Sequence, residues 1–196
     1  MKKEDIEKAL EVLKKALELC EESEGNKPIK KYEFTGETIN HHGITLHRIR
    51  RLSDGLVGGF IEKEGNLSHD GVCFVFDDAK VYEDAWIFED AMVSDAVICG
   101  NALVSGKAIV YDDAQVYGDA WVYEDAQVSY GAKIHGDAQI CGGALVFDGA
   151  QVHGGVKVNG DAKVHGDVEI CGNMEICGDA EVQEREVKRI GRNRRG

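Results

Sequence analysis

The sequence predicts an all-β parallel β-helix, and three observations carry that reading. Val75, Val81, Ile87 and Val93 stand six apart, and aliphatic residues then recur at every sixth position from Ile98 to Val182. Two residues before each stands a small one, usually alanine, from Ala79, Ala85 and Ala91 onward to Ala180. Val156, Val168 and Met174 are the larger exceptions. The residues between strands are pairs such as GD, ED and DD, and the chain has 24 glycines against one proline. Such turns need left-handed backbone, which Gly, Asp and Asn tolerate. A period of six is the mark of stacked short strands, because one unit cannot bury its apolar side alone. Three units close one coil of about 18 residues, so this region makes about six triangular coils. The register slips once, by one residue, between Val93 and Ile98.

Each segment follows from its own pattern. Residues 1–25 predict an amphipathic α-helix, with Ile6, Leu10, Leu13, Leu17 and Cys20 at spacings of three and four. Its apolar stripe suits docking on the body or a short coiled coil, and "GNKP" stops it. Residues 29–71 predict a β leader. "KYEFTGETI" and "GITLHRIRRL" alternate, with "NHHG" as a hairpin turn between them. The leader holds a basic cluster, His47, Arg48, Arg50 and Arg51, a candidate site for a small anion. Residues 72–183 form the repeat. Residues 184–196 form a terminal strand and basic tail, with six basic residues against two acidic ones.

Composition narrows the function classes. The chain has 196 residues and a net charge of −13. No apolar run is long enough to span a membrane, so no membrane role is expected. The start "MKKEDIEKAL" lacks the apolar stretch of a signal peptide, which predicts a cytoplasmic location and reduced thiols. No two of the six cysteines have the near-18 spacing on one face that a bridge between adjacent coils needs.

The aliphatic–alanine hexad resembles the hexapeptide-repeat superfamily. That resemblance implies a single-stranded left-handed β-helix, and its members include trimeric acyltransferases and gamma-class carbonic anhydrases. The segments "KYEFTGET", "GITLHRIRRL" and "GGFIEKEGNLSHDGVCFVFDDAKVYEDA" resemble the leader and first coil of phage and prophage hexapeptide-repeat proteins, often labelled transferases on fold alone. Fold by itself does not establish an activity.

Alternation along each strand points the residues flanking an inward aliphatic outward, and the 18-residue coil sorts them onto three faces. One face stacks Trp86, Phe88, Leu103, Trp121 and Tyr123, an apolar patch expected to be a homo-oligomer contact, in keeping with a trimer. Another carries His135, His153 and Cys171 as a ladder. Ligands on a flat ladder point in parallel rather than converging, so no metal site is expected. If the chain is an enzyme, His135, His153 and His165 are the candidate general bases of a coenzyme A-dependent acyltransferase, the activity the resemblance implies. Against that activity, the coil has no inserted loop to build an acceptor pocket, and nothing in the spacing orients a base. No cofactor is expected.

Residues 72–182 carry 20 acidic and 5 basic residues, a net of −15. A stiff rod with carboxylates in columns repels nucleic acid and attracts the proteins that bind it. The expected function is therefore a non-catalytic, homo-oligomeric binding protein; the phage resemblance implies that it is of phage type and inhibits host machinery. It would act by capturing a host protein or by sequestering a small anionic ligand, without binding nucleic acid along the rod.

Overall fold

The computed structural model describes residues 30–183. The expected N-terminal helix and the basic tail lie outside the described residues. What is described is all-β apart from one 3₁₀ turn, Glu64–Asn66.

The leader folds as two antiparallel strands, β1 (Tyr32–His41) and β2 (Ile44–Arg51). The two-residue turn His42–Gly43 has positive φ at both positions, the geometry that matches the twist of a tight hairpin. Asn40 Oδ1 accepts the Gly43 N–H at 3.1 Å and locks the turn. Strand β3 (Val57–Ile61) runs antiparallel to β2 and parallel to Lys80–Val81 of the repeat. It is thus where the sheet changes from hairpin to solenoid.

Three parallel sheets follow, of nine, seven and six strands, the nine including the leader. Partners are 18 residues apart, as in Gln115↔Lys133, and 17 apart across the slip, as in Lys80↔Val97. The missing residue is lost from a corner, where Asp95 alone makes the turn, so the strands keep their register. The inward aliphatics and the alanines two residues before them form one continuous core, nearly all at 0% exposure. Met174 departs from the expected inner position and is exposed.

The solenoid has about seven turns rather than the expected six. The added turn is built by Ile61 and Leu67, which complete a coil with Val75 and join the same core. Leu67 bridges Ile87 in parallel, and Ile61 pairs with Val81. Ile61 and Leu67 keep the spacing of six, but the eight residues from Leu67 to Val75 break the period; the small residue two places earlier persists as Gly59, Gly65 and Cys73. At Gly59 a Cβ would lie 2.5 Å from the Ala79 carbonyl oxygen, so the close approach of β3 to the next coil requires glycine.

The first residue of each turn is left-handed in every regular coil. Where it is glutamate, the side chain reaches the following coil. Glu83, Glu89 and Glu124 accept the N–H of Gly100, Gly106 and Gly142, each at 2.7 Å. Many corner acids are therefore braces between coils as well as surface charge.

Candidate functional site

The six-stranded sheet brings together the aromatic patch expected from the sequence. Trp86 and Trp121 both pair with Leu103 in register, one coil to either side. Trp86 stacks on Phe88 at 4.2 Å and Trp121 packs on Tyr123 at 4.4 Å. Trp86 is 43% and Trp121 36% exposed, so the described leader does not cover this face. The Trp86–Phe88 pair also lines a cavity of about 560 Å³ beside Asp70, Glu89, Asp90 and Lys107. Further along the sheet Tyr123 hydrogen-bonds Cys141, which with burial pushes its hydroxyl up to about 12.

The basic cluster of β2 is brought into the fold but not to a common point. Arg48 lies against Phe60, donates to the Gly58 carbonyl at 3.0 Å, and pairs with Asp78 and Glu37 at 3.1 Å each. Arg50 pairs with Glu33, and Arg51 with Asp54. His47 packs on Phe34. Each guanidinium thus already holds a carboxylate, which leaves little field for a small anion.

The nine-stranded sheet carries the histidine ladder. Leu46 and Phe60 of the leader, with Ile39 and Ile44, pack on Tyr82, Val97 and Cys99, so the first rungs of this outer face are covered by the hairpin. Beyond them Tyr117, His135 and His153 stack in one column. Ring separations are 4.7 and 4.6 Å, at 7° and 5° between planes. His153 Nε2 lies 3.0 Å from Glu169 Oε1. On the seven-stranded sheet His165 stacks on Phe147 at 4.9 Å and its Nε2 lies 2.9 Å from Glu181 Oε1. Two of the three candidate bases are therefore oriented by a glutamate, contrary to the sequence expectation that nothing orients them. The glutamates come from the following coil, 16 residues on. What a general base also needs is a pocket that positions a substrate, and the cavities described at the surface do not include His135, His153 or His165. Among the described residues no group of three His, Cys, Asp or Glu side chains has metal-holding geometry.

Burial, and then the neighbouring His153, lower the pKa of His135 below its ordinary 6.5; Glu169 works against them. As pH falls, the unfolded chain protonates before the folded one. The stability tied to this group is therefore present above about pH 6.5 and lost as pH drops toward the folded value. His135→Gln is expected to flatten the decline in melting temperature between pH 7 and pH 5. An identical profile in variant and wild type contradicts the assignment.

Tyr130 is an unusual surface residue that the sequence reading did not single out. It occupies a left-handed corner position and is 57% exposed, above a small cavity on the seven-stranded sheet. The signal was present in "SYGA", the one place where an aromatic replaces the Gly, Asp or Glu that opens every other regular turn.

Comparison with known proteins agrees with this architecture. The family model described as YdcK Beta solenoid repeat matches residues 96–112, 114–130 and 138–154, each nearly one coil. No curated protein matches the chain. The register of six, the three parallel sheets and the matched repeat together make this chain a parallel β-solenoid repeat protein.

Proposed function

We propose that this chain is a non-catalytic, left-handed β-helix of phage type that captures a basic protein of host machinery along its acidic corners. The observation that carries the reading is charge density. Residues 72–182 hold a net of −15. With coils about 4.8 Å apart, six coils span roughly 29 Å, or one net charge per about 2 Å. Duplex DNA carries one per about 1.7 Å. Among the described residues, arginine or lysine neutralises two carboxylates of this region, Asp78 through Arg48 and Asp84 through Lys63. The braces from glutamate to backbone N–H leave the negative charge in place. In the same reading Trp86, Phe88, Leu103, Trp121 and Tyr123 form the contact of a homotrimer, which sets three such rods side by side.

Capture of a protein fits better than sequestration of a small anion, because the arginines of β2 are occupied. It also fits better than acyl transfer, because the glutamate-oriented His153 and His165 stand on flat sheet faces. The test is displacement. A basic DNA-binding domain bound to a fluorescent duplex is expected to be released as the protein is added. Acetyl-CoA is expected to leave the melting temperature unchanged. No release, together with stabilisation by acetyl-CoA that is lost on His153→Ala, would favour the acyltransferase instead.

A further inference from the structure

The corner rule breaks at residue 130, where the backbone is left-handed with φ of 48°. An aromatic side chain is strained there, and an observed outlier of this kind motivates a functional role. Burial does not offset the strain, since the side chain is mostly exposed.

The surroundings say what the strain holds in place. The coil carrying Gln127 and Ser129 lies between one carrying Ile109 and Tyr111 and one carrying Leu145 and Phe147. A polar rung therefore separates two apolar rungs. Serine is smaller than its neighbours in the Tyr111–Ser129–Phe147 column and, at 4% exposure, forms the floor of a notch between them. Phe147 stacks on His165 at 6° between planes, so its opposite face is turned toward that notch. Tyr130 closes the side, edge-on to Tyr111 at 6.0 Å. The resulting cavity is about 200 Å³ and is lined by Tyr111, Gln127, Ser129, Tyr130, Leu145 and Phe147. Among the described residues, neither the Gln127 amide nor the Ser129 hydroxyl has a side-chain hydrogen-bond partner.

The geometry points to a binding site for one neutral pyranose ring, held between Tyr111 and Phe147 with Tyr130 as its lid. Two coils separate the aromatic rungs by about 9.6 Å. A flat ring in contact with both walls fills about 7–8 Å, whereas a chair-form sugar with axial hydrogens is thicker. The aromatic faces suit its C–H surface, and the amide and hydroxyls suit its hydroxyl groups. No charged side chain lines the cavity, and the surrounding acidic corners repel anionic sugars. This site is independent of protein capture and stands whether or not that reading holds.

Tyr130→Gly separates function from folding, because glycine is the residue that most corners already use. The probes are the methyl glycosides of glucose, galactose, mannose and N-acetylglucosamine, followed by saturation-transfer NMR. At least one is expected to give a saturable signal with the wild-type protein and to bind at least tenfold more weakly to Tyr130→Gly. The variant is expected to melt at the same temperature or higher. The proposal is overturned if no neutral glycoside binds, if sialic acid or adenosine binds better, or if binding survives in the variant. A lower melting temperature for Tyr130→Gly also overturns it, because Tyr130 would then be a packing residue.

Discussion

Asn66→Leu is expected to destabilise the protein by about 2–4 kcal/mol, as one buried and two part-buried backbone groups lose their partner at about 0.5–1.5 kcal/mol each. Asn66 is 0% exposed in the 3₁₀ turn of the first coil. Its Nδ2 donates to the carbonyls of Glu83 and Ala85 at 3.0 and 2.8 Å, and its Oδ1 accepts the Lys63 N–H at 2.9 Å. Leucine has similar bulk but satisfies none of these groups. The loss falls where the solenoid begins, because Tyr32 braces the same turn through the carbonyls of Glu64 and Leu67. Asn66→Asp is expected to be at least as damaging at neutral pH, since it turns a donor into an acceptor facing two carbonyl oxygens. Urea unfolding reads both changes as a lower midpoint. A shift worth less than about 1 kcal/mol would show that the turn relaxes or that water replaces the amide.

Val122→Asp is expected to divide the solenoid. Val122 is fully buried and stacks between Val104 and Ile140 in neighbouring coils. A carboxylate there has no partner in the core, so it either stays charged at a penalty of several kcal/mol or takes up a proton. Against a typical whole-domain stability of about 5–15 kcal/mol, that is enough to uncouple the coils on either side. Stacked repeats interact with nearest neighbours, so a break in one coil isolates two blocks. The N-terminal block keeps the leader and its turn of Asn66 contacts, and the C-terminal block begins near residue 129. Hydrogen exchange is expected to show lost protection first at Lys133, Gln139 and Leu145, while Val81 and Ile98 keep theirs. Val122→Ala, at about 2 kcal/mol, should lower the midpoint without splitting the transition. A single cooperative transition in the aspartate variant would contradict nearest-neighbour coupling.

The repeat was legible because its information is local: an inward aliphatic, a small residue two places before it and a turn between. The same rule assigned Trp86, Leu103 and Trp121 to one face, and the paired strands place them together. The first turn escaped because eight residues, not six, separate Leu67 from Val75 and cut Ile61 and Leu67 off from the series, although Gly59, Gly65 and Cys73 kept the small-residue mark. Contacts that depend on rotamers or on the fold of the leader were not legible. Glu169 and Glu181 reach His153 and His165 diagonally, two positions short of the straight 18-residue register. Arg48 meets Glu37 across the hairpin, but meets Asp78 only after the hairpin has docked on the solenoid. Tyr130 was visible as an exception, but its significance rests on a φ value that composition does not supply.

Capture by charge has a direct thermodynamic signature, the dependence of the association constant on salt with a basic DNA-binding domain as partner. If the acidic columns stand in for phosphates, the logarithm of the constant falls linearly with the logarithm of salt concentration. Replacing Asp112, Asp113, Asp119 and Asp125 by asparagine should make that slope shallower without changing the fold. An association constant that is flat across 50–500 mM salt, or unaffected by those four substitutions, would contradict the account.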